Sequence, residues 1–289
     1  MLKYGDKEKI MKKKIEKSQE FIHKYKNLFR CPLCQQKLQE KEKSLRCSNG
    51  HQFDLSKKGT LYFLNHQIKT EYQKKMFEHR RVMIKSGMYQ PLLEFLASYC
   101  ENEQLLDVGC GEGSFLQEIA QTTAIQPSIG FDIAKEAVYL ATEDTHDIFW
   151  CVADLTNMPF NNQSFSTILN IFTPSNYSEF ARVLQKGGQI IKVVPQSGYL
   201  QELRKAFYPD DDRKQSYSNE QVIEKFKQSF SLDAYKRFTY RFALSEENQD
   251  SLLEMSPLEW GVSDKQKEKL RQNPLKNITV DLDVLIGKN

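Results

Sequence analysis

Two groups of residues in this sequence have the types and spacing to do chemistry. The first is Cys31-Pro32-Leu33-Cys34, followed after twelve residues by Cys47 and, three residues further on, by His51. Three thiolates and an imidazole in two tight pairs suit tetrahedral Zn²⁺: a two-residue turn presents both sulfurs of a pair to one ion, and the chain between the pairs folds as a hairpin. A redox C-x-x-C would leave Cys47 and His51 without a role, and it lacks the strand before and the helix after that such a motif needs. Four protein ligands close the site, so the expected zinc is structural rather than catalytic. The second group is Leu105-Leu106-Asp107-Val108-Gly109-Cys110-Gly111-Glu112-Gly113. An apolar pair, three glycines at alternate positions, then Phe115, Leu116 and Ile119 at helical spacing read as a buried strand, a turn and a helix. Glycines there let the backbone approach a ligand, and the turn lies at the carboxyl end of a strand, where open α/β sheets bind ligands. A dinucleotide fingerprint counted from Gly109 needs glycine at the sixth position, which is Ser114, so an NAD-type fit is poor. A tight turn without any ligand is the alternative.

The elements that must position these residues follow in regular order. The pattern predicts a helix near 114–122, then strand 127–132, helix 135–143, strand 147–153, strand 165–171, helix 176–184 and strand 188–194. Such alternation gives a parallel sheet covered on both faces. Alternation in Tyr235 to Leu244 and in Ile278 to Ile286 supplies two closing strands, and residues 200–230 read as polar and helical, with Asp210-Asp211-Asp212 an exposed loop. Asp107, Asp132 and Asp154 then end three successive strands on one edge of the sheet, although Asp154 could equally cap a turn. The fourth strand runs into Asn170-Ile171-Phe172-Thr173-Pro174, and proline takes the backbone out of the sheet there. Phe172 is a candidate to stack on a base, with a strand-end core residue as the alternative.

Composition sets the class. The 289 residues include 39% hydrophobic and 11% aromatic, ordinary for a globular protein of one large and one small domain. No apolar run approaches a bilayer span, and the lysine-rich start lacks a signal-peptide core, so the cytosol is expected. The six cysteines are then reduced, and Cys100, Cys110 and Cys151 read as packing residues. The net charge of +3 hides an asymmetry: residues 1–90 carry 22 Lys and Arg against 9 Asp and Glu, and the remainder 19 against 29. A basic first third carrying a metal module suggests a polyanionic partner; a solvated lysine-rich surface is the plainer alternative. Residues 1–28 look like a basic helical extension, 29–65 a zinc-binding domain, 66–86 a linker and 87–289 the α/β domain. In the linker, Arg80 and Arg81 could fork to phosphate, while His66 and His79 have no metal-like partner at suitable spacing.

The acid and glycine pattern resembles class I S-adenosylmethionine-dependent methyltransferases. One family in particular is similar along the chain from Phe29 to the last strand. It is carried by Cys31-Pro-Leu-Cys34, Cys47, His51-Gln52-Phe53-Asp54, Lys58-Gly59, Leu61-Tyr62-Phe63-Leu64, Arg80-Arg81, Gly87-Met88-Tyr89-Gln90-Pro91-Leu92, the Asp107 to Gly113 turn and Met255-Ser-Pro-Leu-Glu-Trp260. Together they resemble the RlmA/TlrB group, zinc-containing guanine-N1 methyltransferases of 23S ribosomal RNA. The resemblance implies a class I, Rossmann-like fold with a seven-stranded mostly parallel sheet and a small N-terminal zinc-binding domain. It implies S-adenosylmethionine on Asp132 (ribose), Gly109, Gly111 and Glu112 (methionine side), Asp107, Asp154 (adenine) and Tyr89. Tyr199 stands where family members can have a histidine. Zinc on Cys31, Cys34, Cys47 and His51, an rRNA hairpin near Arg80, Arg81 and Phe172, and a homodimer are implied too. No residue is assigned as general base. A small-molecule methyltransferase and a catalytically silent zinc-containing RNA-binding protein are the competing readings.

Overall fold

The structure, a computed structural model, describes residues 13–289 except 67, 69–71, 102, 145, 146 and 216. The helical reading of residues 1–12 therefore lies outside the described residues. The chain opens with helix α1 (Lys14–Tyr25). A three-stranded antiparallel sheet follows, β1 (Leu38–Lys41), β2 (Ser44–Cys47) and β3 (Gln52–Asp54). Then come the two-residue strand β4 (Leu61–Tyr62), α2 (Lys74–Met83) and α3 (Gln90–Cys100).

The α/β alternation then appears as β5 (Leu105–Val108), α4 (Ser114–Thr122), β6 (Ser128–Asp132), α5 (Lys135–Ala141), β7 (Phe149–Val152), β8 (Phe165–Ile171), α6 (Tyr177–Val183) and β9 (Leu184–Pro195). Helices α7 (Gln201–Phe207), α8 (Asp212–Gln215) and α9 (Glu220–Ser229) lead to β10 (Ser231–Ala243). Two helices that alternation did not reveal, α10 (Gln249–Glu254) and α11 (Asp264–Gln272), precede the last strand, β11 (Asn277–Lys288).

The large sheet has the order β10-β11-β9-β8-β5-β6-β7-β4. Its members are parallel except for β11, which runs antiparallel to both β10 and β9. The expected seven strands are therefore eight. The extra one is β4, where Leu61 pairs with Cys151 beside the zinc-module sequence. A two-residue strand carries too little period-2 pattern to be read from sequence. Strands β5 and β7 are buried at every position, as parallel strands covered on both faces must be. On one face Leu105, Leu169 and Ile191 meet Leu92, Leu96, Leu116 and Ile119 of α3 and α4. On the other, Leu106, Val108 and Ile168 meet Phe180, Phe226 and the small antiparallel module through Leu45, Phe53 and Phe63.

The small module thus shares a core with the large sheet. Phe29, fully buried, lies 5.6 to 6.0 Å from the rings of Phe63, Phe149 and Phe160, and Phe21 of α1 stacks on Phe149 at 4.7 Å. Hydrogen bonds lock it to the loop after β7, among them Arg30 N–H to the Pro159 carbonyl at 2.9 Å, Asn157 Nδ2 to the Pro32 carbonyl at 2.8 Å and Asn161 Nδ2 to the Phe29 carbonyl at 3.1 Å.

Gly130 in β6 supports the indole of Trp150 in β7; an added Cβ would stand 2.2 Å from Trp150 Cζ3. We predict that Gly130→Ala lowers the melting temperature, by an overpacking cost of about 1–3 kcal/mol. An unchanged melting curve would show that the ring is free to move aside.

Candidate cofactor site and metal centre

The ligand atoms of Cys31, Cys34, Cys47 and His51 all lie within 4.8 Å of one another. Cys34 and Cys47 sulfurs are 3.6 Å apart, and His51 Nδ1 is 3.4 Å from both Cys31 and Cys47 sulfurs. Tetrahedral Zn²⁺ with Zn–S near 2.3 Å and Zn–N near 2.0 Å has edges of roughly 3.5–3.8 Å, so the four side chains fit that ion. Two tight turns bring them there. Gln35 N–H donates to the Cys31 carbonyl and Gly50 N–H to the Cys47 carbonyl, with Gln35 (φ 62°) and Gly50 (φ 86°) in the left-handed region. We predict that Cys47→Ser lowers bound zinc several-fold from one ion per chain, measured by elemental mass spectrometry, and lowers the melting temperature with it. Full zinc occupancy in that variant would remove Cys47 from the ligand set.

The second site is a cavity of about 750 Å³ at the carboxyl ends of β5 to β9, within the size range of ligand pockets. Asp132 lines it. Its Oδ2 accepts from Gly111 N–H at 2.9 Å and its Oδ1 from Ala134 N–H at 2.8 Å, so one carboxylate ties the glycine turn to the end of β6. Each oxygen keeps further acceptor capacity. Asp154 lines the wall next to it, with Oδ1 accepting from Thr156 N–H at 2.8 Å. The turn-capping alternative and the wall position are therefore both realised. Gly109, at φ 68°, also reaches the wall; a Cβ there would stand 2.2 Å from Thr173 Oγ1.

The remaining expected cofactor residues divide. Tyr89 and Tyr199 line the cavity and share a 2.5 Å hydrogen bond between their hydroxyls; burial pushes both phenols up, so both stay neutral. Asp107, Gly111 and Glu112 are set back from the wall. Glu112 accepts instead from Ser114 N–H and Oγ–H, at 3.2 and 2.6 Å, at the start of α4, and pairs with Arg81. Arg81, expected near phosphate, turns inward: it also pairs with Glu143 at 3.0 Å and donates to the Leu140 carbonyl at 2.6 Å. Arg80 does line the cavity, with its guanidinium over Phe77 at 5.5 Å and its Nε donating to the Met255 carbonyl at 3.3 Å. Phe172 sits on the wall at φ 55°, a strained setting for a non-glycine residue, among Tyr89, Phe115 and Tyr199 at 5.7–5.9 Å.

Charge decides what the turn can hold. Burial raises the proton affinity of Asp107, Glu112 and Asp132, and that of Asp107, pushed up to about 8, is raised further by the other two. A pyrophosphate would add repulsion to this cluster. A cationic ligand carrying a ribose diol relieves it, which is the charge pattern of S-adenosylmethionine.

One residue was missed by sequence reasoning. Lys192 in β9 is 2% exposed and lines the cavity with its stem and ammonium among polar atoms of the loop after β8. A lysine inside Gln189-Ile-Ile-Lys-Val-Val194 was the available signal, because a charge in a buried run must have partners.

Comparisons with known proteins agree with this layout. Residues 29–70 match the zinc-ribbon family described as "RlmA, N-terminal", and residues 105–188 a "Methyltransferase domain". The chain is 37% identical over 276 residues to a Bacillus subtilis (strain 168) protein, YxjB, named as a candidate 23S rRNA (guanine-N(1)-)-methyltransferase; the match covers 90% of this chain and 97% of that one. It is 27% identical over 240 residues to the 23S rRNA (guanine(748)-N(1))-methyltransferase of Streptomyces fradiae, covering 80% of this chain and 85% of the relative. With its four-ligand zinc ribbon joined to a class I S-adenosylmethionine-dependent core, the chain belongs to the RlmA-type family of 23S rRNA (guanine-N1) methyltransferases.

Proposed function

We propose that this protein methylates N1 of a guanine in a hairpin of 23S rRNA, in the cytoplasm. The observation that carries the reading is the single cavity in which the strand-end carboxylates Asp132 and Asp154 face the aromatic wall around Phe172. One end suits an adenosyl donor and the other a planar acceptor. When bound, S-adenosylmethionine supplies an electrophilic methyl group on a sulfonium.

The residues of the chain do the positioning. Asp132 accepts from the ribose hydroxyls with the acceptor capacity its two backbone bonds leave, and Asp154 accepts from the adenine amino group. Asp107 and Glu112, set behind the turn, would regain their charge as the positive end of the donor approaches. Tyr89 and Tyr199 close the cavity beside the aromatic wall. Guanine N1 normally faces its pairing partner, so the base must enter unpaired, and a ring such as Phe172 holds it by stacking. Arg80 and the lysines of the first third meet backbone phosphates. Holding N1 in line with the donor's methyl group and away from bulk water would supply most of the acceleration, the N1 proton leaving to an acceptor as the methyl group arrives. A homodimer belongs to the same reading. A small-molecule acceptor would leave the zinc ribbon and the basic first third without a use.

Labelled methyl transfer to unmodified 23S rRNA is expected, with a new reverse-transcription stop at one guanine, because N1 methylation removes the pairing donor. Transfer without a stop would place the methyl group elsewhere. Asp132→Ala is expected to weaken S-adenosylmethionine binding at least about tenfold, the scale of losing a charge-assisted hydrogen bond, while zinc stays at one ion per chain. Unchanged affinity would remove Asp132 from the ribose site.

A further inference from the structure

The lysine at position 192 has no part in the reading above, yet its surroundings are unusually complete. Its Nζ donates to Asn170 Oδ1 at 2.6 Å, to Ser175 Oγ at 2.7 Å and to the Thr173 carbonyl at 3.3 Å. An ammonium has three N–H bonds, and all three end on the six-residue stretch from Asn170 to Ser175. The stretch is itself cross-tied: Ser175 Oγ–H donates to Asn170 Oδ1 at 2.9 Å and Asn170 Nδ2 to the Pro174 carbonyl at 3.0 Å.

What this stretch carries makes the tether consequential. Phe172 is at a left-handed φ of 55°, a conformation that an untethered phenylalanine rarely keeps. Thr173 packs so closely on Gly109 that no Cβ fits between them. The same few residues therefore touch the cofactor turn on one side and present an aromatic face to the acceptor end of the cavity on the other. Among the described residues no carboxylate pairs with Lys192, and its three recorded bonds all go to the loop.

The geometry points to Lys192 as a positioning residue for methyl transfer: by holding Asn170, Thr173 and Ser175 together it sets the distance between the acceptor wall at Phe172 and the glycine turn at Gly109. The inference rests on the methyltransferase reading above. It assigns Lys192 no contact with substrate. Burial lowers its proton affinity to about 8, which is the cost of keeping a lysine where only the loop can use it.

The test uses the full-length zinc-loaded protein with an unmodified 23S rRNA hairpin. Lys192→Met keeps the length of the side chain and removes its donors; Ser175→Ala removes one acceptor and is the milder change if the first fails to fold. The expected result is a fall in kcat of about 10- to 100-fold for Lys192→Met, the scale of a misplaced reacting pair. Ser175→Ala should give a smaller fall. Affinity for S-adenosylmethionine and KM for the hairpin should stay within threefold in both. Because Ser175→Ala cuts one of the Lys192 bonds together with the Ser175–Asn170 cross-tie, the double variant should fall well short of the product of the two losses. A kcat within twofold of the parent, a loss confined to KM, or multiplied losses would overturn the inference. Hydrogen exchange over 170–175 is a second readout that does not depend on the acceptor: Lys192→Met should speed it, and unchanged exchange would show that the lysine tethers nothing. A parent protein that methylates no RNA would instead overturn the functional reading, with the exchange result still deciding the tether.

Discussion

Two backbone hydrogen bonds to one half-buried carboxylate hold the functional end of this molecule together. Asp132 accepts from Gly111 in the turn after β5 and from Ala134 just beyond β6, so neither loop can move without the other. Burial disfavours the charge on Asp132, its backbone N–H bonds and Arg80 oppose that, and Asp132 and Glu112 in turn push up the proton affinity of Asp107 behind the turn. Such a cluster persists when something offsets it. Arg81 on Glu112 does part of this, and a cationic ligand in the cavity would do more. The same electrostatics therefore favour a cationic ligand at this turn.

The zinc ribbon contributes more than an appended RNA contact. Its aromatic residues sit in the core under β6 and β7, and its first knuckle is hydrogen-bonded to the loop that follows Asp154. A segment of this size has too little apolar area to fold by itself, and metal binding supplies the missing free energy. The consequence reaches the cofactor edge, because the Pro32 and Arg30 contacts hold Asn157 and Pro159, three and five residues beyond Asp154. Zinc thus stabilises one wall of the cavity from a distance without touching the chemistry.

Much of the fold was legible in the sequence because buried parallel strands and amphipathic helices write strong, different periods. The helix at Ser114–Thr122 and the strand at Phe165–Ile171 fall where the pattern predicts them. Strand β4 did not, since two residues have no period, and α10 and α11 were hidden because helices this short, packed on α2 and α7, write too few turns to show one. In the site, residue type announced the carboxylates and the thiols. Side-chain direction was not announced: Arg80 and Arg81 are adjacent in sequence, but a helix turns consecutive residues about 100° apart, and only Arg80 reaches the cavity. Lys192 was overlooked for the opposite reason, since its meaning comes from partners seventeen to twenty-two residues away that meet it across neighbouring strands.

The carboxylates of Asp107, Glu112 and Asp132 at the glycine turn suit a cationic adenosyl donor and oppose a pyrophosphate. The decisive measurement is calorimetric titration of the zinc-loaded protein with S-adenosylmethionine and, separately, with NAD. Saturable binding of one S-adenosylmethionine per chain and no heat with NAD is the predicted result. Silence with S-adenosylmethionine, or equal affinity for NAD, would contradict it.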